Sequence, residues 1–138
     1  MMPTHCSPGQ TLPEMTVPVT ATLVAGGAIA TRDWSLVHHD TAAAKNAGTP
    51  DIFMNILTTN GLIGRFVTDW AGPQAELTDV SIRLGAPNFP GDAFTVTGTV
   101  SEFDEDSASA LIEVTGKNGI GTHASGHVRV ALQGRKRS

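Results

Sequence analysis

Residues 51–70 read DIFMNILTTNGLIGRFVTDW, and the architecture turns on what this stretch becomes. Its apolar residues recur at helical spacing: Ile52, Ile56, Ile63, Phe66 and Trp70 fall on one stripe. Phe53, Leu57 and Val67 widen that stripe on one side, and Leu62 flanks it on the other. Thr49 as N-cap with Pro50 at the first helical position is a start signal, which predicts a helix of about five turns. The sequence AGP at 71–73 ends it. A helix apolar over so much of its circumference is a buried one.

Everything downstream of that helix alternates. AELTDVSIRLG (75–85), DAFTVTGTVSEF (92–103), ASALIEVTG (108–116) and ASGHVRVAL (124–132) read as strands, with turns at APNFPGD, DEDS and GKNGIG. Three or four long antiparallel strands after one buried helix predict an α+β fold, a curved sheet wrapped around the helix. Upstream, a short strand is expected near Val17, followed by an element that Thr20 or Thr22 caps as a helix, although Gly26 and Gly27 weaken it. Asp40 is a fitting N-cap for the short helix TAAAKNA, which Gly48 stops. Residues 1–13, with Pro3, Pro8 and Pro13, read as a loose leader, and the GRKRS at 134–138 as a solvated basic tail. The expectation is a single domain over residues 1–138.

Composition narrows the function classes. Apolar residues make up 40% and charged residues only 16% of the chain, so a large oligomer interface is expected to bury surface. A net charge of −4 argues against a nucleic-acid binder, which needs a basic face. Cys6 is the sole cysteine, so no disulfide framework is available within the chain. The N-terminal residues lack the pattern of a signal peptide, and LVAGGAIA is far too short to span a bilayer. A cytoplasmic protein is expected.

Titratable chemistry concentrates in ATRDWSLVHHD, residues 30–40. It holds Asp33, His38, His39 and Asp40 in a chain with only five histidines. A metal site is disfavoured: His123 and His127 lie in a predicted strand, where four positions span roughly 13 Å, and no HExxH or Cys/His spacing is present. GKNGIG lacks the strand–loop–helix context of a phosphate-binding loop, and no serine sits in a GxSxG elbow. No metal and no cofactor are therefore expected. What remains is an acid/base pair, Asp33 and His38, able to hold one water between carboxylate and imidazole. On spacing alone the alternative stands beside it: Asp33 satisfies a turn and His38 is a surface histidine. His39 should face elsewhere, Asp40 is better explained as a cap, and Trp34 and Trp70 as core or interface residues.

These residues resemble the MaoC-like dehydratases and (R)-specific enoyl-CoA hydratases, whose motif runs D-x-N-P-[LIV]-H, then five residues, then Ala or Ser. Here Asp33-Trp34-Ser35-Leu36-Val37-His38 is followed by Ala44, and the family's P-x-x-P-G-D turn is present as Pro87 to Asp92. The resemblance covers nearly the whole chain from about residue 13. Three departures bear on substrate range. Asn-Pro is replaced by Ser35-Leu36, and the glycine usual before the aspartate is Arg32. The family's I-A-H-G-M is Ile52-Phe53-Met54-Asn55-Ile56. The longer pattern ATRDWSLVHHD…DIFMNILTTNGL…VTDWAGP is similar to the small MaoC-like subunit of actinobacterial hydratases that act on steroid side-chain enoyl-CoA esters.

The resemblance implies a hotdog fold and a hydro-lyase that adds water across a trans-2-enoyl-CoA thioester, with Asp33 and His38 catalytic. It also implies an acyl-CoA substrate and a larger MaoC-like partner subunit in a hetero-oligomer, a homodimer being the other assembly. Backbone N–H groups near Asn55, at the start of the central helix, would bind the thioester oxygen as it gains charge; the Asn55 side chain could equally be a structural hydrogen-bonder. Gly61 and Gly64 would admit a close backbone or a bulky acyl group, or simply serve packing. Two rivals remain. A hotdog thioesterase would place an acidic residue in or near the central helix, where this chain has only Asp51 and Asp69 at its two ends. A non-catalytic supporting subunit would be expected to lack Asp33 or His38.

Overall fold

The computed structural model describes residues 3–132; the basic tail expected at 134–138 lies outside the described residues. In chain order the elements are β1 (Met15–Pro18), α1 (Ala21–Ala30), a 3-10 turn (Leu36–His38), α2 (Thr41–Asn46) and α3 (Ile56–Ala71). Then come β2 (Glu76–Leu84), β3 (Ala93–Asp104), β4 (Ser109–Lys117) and β5 (Thr122–Ala131). The five strands form one antiparallel sheet in the order β1-β3-β4-β5-β2. Consecutive hairpins join β3, β4 and β5, while β2, the first strand after α3, crosses to the far edge beside β5. This is the hotdog arrangement: one face of the sheet curves around α3.

The core lies between that face and the helix. Alternation puts Phe94, Val96, Val100, Ile112, Val114, Val128 and Val130 inward, where they meet Ile63, Phe66 and Val67 of α3. Gly98 in mid-β3 has a spatial reason: a Cβ there would stand 2.8 Å from the Phe66 ring. The aromatic ring fills the space a side chain would take.

Three expectations need correction. The central helix begins at Ile56, with Asn55 as its N-cap, not at Thr49–Pro50. Thr49 instead donates its hydroxyl to the carbonyls of Ala44 and Asp51 in a turn. Residues 52–54 run extended, with Ile52 and Met54 buried on either side of a half-buried Phe53, a period of two that a helical template misreads. Their N–H groups are taken up across the fold, Phe53 by the Val37 carbonyl and Met54 by that of Asn88. The apolar stripe is corrected at its leading end. Ile56, seven residues before Ile63 and on the same face, is 45% exposed, and Leu57 48%; in the first two turns Thr58 and Thr59 are buried instead.

Nor is the leader loose where it is described. Cys6 and Leu12 are buried, and the segment runs along β3, Gly9 and Leu12 donating to the carbonyls of Val100 and Gly98 and Val100 to that of Gln10. Gly26 and Gly27, which weaken the helical reading of α1, have different roles. A Cβ at Gly26 would meet nothing, whereas one at Gly27 would overlap the Thr58 side chain. Gly27 is the point where α1 packs against the start of α3.

Candidate active site

The site begins where α1 stops. The Thr31 hydroxyl donates back to the carbonyls of Gly27 and Ala28, and Arg32 takes a left-handed φ of +56°. That position carries glycine in the related motif, and an arginine adopts the conformation at a cost of roughly 1–2 kcal/mol. The reversal lets the Asp33 N–H bond to Ala28 O at 2.8 Å and turns the Asp33 side chain towards α3. Asp33 Oδ1 accepts from the Ser35 N–H at 3.2 Å, an Asx-type turn that leads into the 3-10 turn carrying His38.

His38 is 8% exposed, edge-on to the Phe53 ring. Its Nδ1 lies 2.6 Å from the Phe53 carbonyl oxygen, which can only accept, so Nδ1 carries the hydrogen. The extended run at 52–54 thus fixes the imidazole tautomer. Nε2 is left facing Asp33 Oδ2 at 3.4 Å. With His38 neutral, two acceptors confront each other, and two donors complete the arrangement: a water giving one O–H to each, or a proton on Nε2.

Asn55 joins the pair from the start of α3. Its Oδ1 accepts from the N–H and the hydroxyl of Thr58, and its Nδ2 donates to Thr31 Oγ1 at 2.9 Å and to Asp33 Oδ2 at 3.1 Å. These bonds hold the Asp33 carboxyl below the usual range. The Asn55 amide is the main cause, the Ser35 N–H the next, and His38 and His39 add a favourable field. Asp33 is a carboxylate at neutral pH.

His38 and Asn55, the two side chains that touch Asp33, line a cavity of about 270 Å³ whose other walls are Phe53, Met54, Ile56, Leu84, Gly85, Pro87 and His123. The wall is largely apolar. Ile56 begins α3, and its N–H and that of Leu57, in the first turn, have no acceptor within the helix. Broader, more open depressions of about 340 and 400 Å³ lie on the outer face of the sheet around His127. They share no lining residue with the first cavity; His127 there faces Asp79 Oδ2 at 3.4 Å, but both side chains are about half exposed, whereas His38 is buried beside Asp33.

Sequence reading missed His123. Placed with His127 in a predicted strand and given no role, it is buried, with Nδ1 against the Ala86 carbonyl and Nε2 against the Thr59 hydroxyl, both at 2.8 Å. Burial lowers its pKa and keeps it neutral. The cause is a bulge: the β4–β5 register jumps from Gly116↔Ala124 to Lys117↔Thr122, leaving His123 unpaired and turned inward, where strict alternation would place it on the face of His127. No local sequence signal announces that bulge.

The remaining candidates divide: Asp40, Trp70 and Gly64 have the structural partners expected of them, whereas Trp34 is not in the core and Gly61 seats no neighbour. Asp40 caps α2 through the Ala43 N–H, and exposed His39 reaches only the Trp34 carbonyl at 3.5 Å. Trp34 is 66% exposed, while Trp70 packs against the core. Gly61 is open to solvent, and Gly64 seats Leu77. Asp51 accepts from Thr41 and from its neighbour Ile52, and Asp69 pairs with Arg65 on the surface, so neither carboxylate lines the cavity. Among the described residues, no three of His, Cys, Asp and Glu converge to hold a metal ion. No described helix is long and apolar enough to cross a membrane.

Comparison with known proteins identifies the family and the fold. The MaoC like domain family matches residues 5–124. The 3-oxo-4,17-pregnadiene-20-carboxyl-CoA hydratase beta subunit of Mycobacterium tuberculosis is 38% identical over 125 residues, covering 91% of this chain and 95% of that subunit. A chain in the crystal structure of the ChsH1–ChsH2 complex from the same organism superposes with a TM-score of 0.89 at 38% identity, over 93% of this chain and 99% of that one. The (R)-hydratase from A. caviae involved in PHA biosynthesis shares the fold, with a TM-score of 0.84 at 21% identity over 92% of this chain and 97% of that one. A family match over most of the chain and a relative of this identity along nearly its whole length lead to one conclusion: the chain belongs to the MaoC-like dehydratase family.

Proposed function

We propose that the protein is the small subunit of an enoyl-CoA hydratase, that Asp33 and His38 are its catalytic pair, and that its substrate is a steroid side-chain acyl-CoA. The observation that carries this reading is the facing of Asp33 Oδ2 and His38 Nε2 at 3.4 Å, with Nδ1 already committed to the Phe53 carbonyl. A water held between the two attacks the β-carbon of the trans-2-enoyl thioester. With a proton on Nε2, the Asp33 carboxylate accepts the proton the water gives up and His38 delivers the Nε2 proton to the α-carbon. Return of the proton across the gap between them restores the starting state. Hydroxyl and hydrogen have then been added across the double bond, with nothing else consumed.

Charge that gathers on the thioester oxygen as the enolate forms needs donors. The free N–H groups of Ile56 and Leu57, at the positive end of a 16-residue helix, suit that role. The acyl class, a steroid side chain on coenzyme A, follows the Mycobacterium tuberculosis relative, a 3-oxo-4,17-pregnadiene-20-carboxyl-CoA hydratase subunit. The size of the cavity supports a partner subunit. About 270 Å³ is at the small end for a ligand site and takes the thioester and a few carbons. A steroid nucleus must extend over the exposed apolar rim at Ile56, Leu57 and Leu84, where only a second chain can cover it. The crystal structure that resembles this chain is itself a complex of two kinds of subunit.

The test is loss of enoyl-thioester absorbance with a steroid side-chain enoyl-CoA and with short linear enoyl-CoAs. The protein is assayed alone and with its larger MaoC-like partner. The expected result is turnover of the steroid ester, greatest with the partner present. Turnover of short linear substrates alone would keep the hydratase and remove the steroid. Absence of any turnover in the assembled complex would leave the chain a supporting subunit.

A further inference from the structure

Asn55 is held at both ends. Its carbonyl side is fixed by two donors of Thr58, the backbone N–H and the hydroxyl, so the amide cannot turn over without setting donors against a donor. Its NH₂ side is therefore obliged to face Thr31 Oγ1 and Asp33 Oδ2. Thr31 Oγ1 can take that bond because its own hydrogen goes back to the end of α1. Thr58 is in turn pressed by the backbone of α1 at Gly27, the one residue that leaves room for it. Asn55 is 3% exposed, and its polar atoms are engaged within the protein.

We propose that Asn55 is a positioning residue: its amide, oriented by Thr58, aims Asp33 Oδ2 at His38 Nε2 and so sets the seat of the reacting water, rather than binding substrate through its side chain. The inference rests on the hydratase reading for its kinetic consequence, but not for its structural one. The oxygen that receives the amide hydrogen is the same Oδ2 that faces Nε2. Without that bond the carboxylate keeps only the Ser35 N–H on its other oxygen, and rotation about the side chain moves Oδ2 off the line to His38. The titratable groups bearing on Asp33 are His38 and His39, both from the segment that follows it; α3 presents the uncharged Asn55, which Thr31 also holds.

Two substitutions separate positioning from capping. Asn55→Ser and Asn55→Asp both retain a strong N-cap acceptor for α3, and both remove the N–H that Asp33 receives. Carbon-13 NMR titration of the Asp33 carboxyl in the folded chain is expected to show its pKa rise in both, more in Asn55→Asp, where a second carboxylate replaces the donor. In the assembled hydratase, kcat is expected to fall about ten-fold with KM within about two-fold of wild type. On an Asp33→Asn background the same substitutions should cost little more. An unmoved Asp33 titration, or a raised KM with kcat intact, would overturn the proposal, the latter making Asn55 a substrate ligand. If the titration moves but wild type hydrates no enoyl-CoA, the positioning of Asp33 stands and the hydratase reading falls.

Discussion

The two buried histidines at the cavity differ in what their nitrogens have left to do. His38 spends Nδ1 on the Phe53 carbonyl and keeps Nε2 for Asp33, whereas His123 has both nitrogens engaged, by Ala86 and by Thr59. His123 is thus a brace between β5, α3 and the loop after β2, and its burial makes it a liability in acid. Its pKa is lowered from the ordinary 6.5 by desolvation. Between that value and its folded one, the unfolded chain takes up a proton that the folded chain refuses, so stability falls as pH drops below about 6.5. Urea unfolding from pH 7.5 to 5 should show this slope in wild type and a flatter one in His123→Gln. Equal slopes would mean that His123 is not the group responsible. At this scale the sequence made Asp33 and His38 legible, because a short loop keeps them within reach of one another. It hid His123, because a bulge inverts the face on which a strand residue points.

Among the elements, boundaries carried the errors and types did not. Helix α3 and the four long strands follow from periodicity, since each buries a face that only its own period can assemble. The helix start was obscured by two competing caps six residues apart: Thr49–Pro50 satisfies the local rule, but Asn55 has Thr58 and Asp33 to hold it. Tertiary partners decided between them. The glycine pair of α1 was similarly ambiguous in sequence and is resolved by packing. Gly26→Ala, which adds a methyl to open space, should stabilise the protein by about 0.5–1 kcal/mol. Gly27→Ala should destabilise it by about 1–3 kcal/mol, since its Cβ would displace Thr58. Thermal melts of the two variants should therefore shift in opposite directions, and a shared sign would contradict the close packing of α1 on α3.

At the scale of the whole molecule, small size leaves the fold dependent on segments that composition alone would discard. The stretch before β1 reads as loose because of its prolines, yet it lays Leu12 and Cys6 into the core and extends the hydrogen bonding of β3. Deleting residues 1–12 should cost roughly 2–4 kcal/mol in urea unfolding, from lost apolar burial and two or three backbone hydrogen bonds; a loss below about 0.5 kcal/mol would restore the view of an idle leader. The low charge of the chain has its counterpart in exposed Ile29, Trp34, Leu36, Ile56, Leu57, Leu84 and Ile120. Ile56 and Leu84 also line the cavity, so the surface that invites a partner and the site that needs covering share residues.

The central claim is that Asp33 and His38 together hold the water that adds to the substrate. The most direct measurement is kcat/KM for enoyl-CoA hydration by the assembled enzyme carrying Asp33→Asn, His38→Ala or both, with assembly checked by size-exclusion chromatography. The account predicts that each single variant loses roughly 10²–10⁴-fold and that the double variant loses little more, because the two act on one water. Variants that assemble and hydrate at the wild-type rate would contradict it, and residues 30–40 would then be a structural loop.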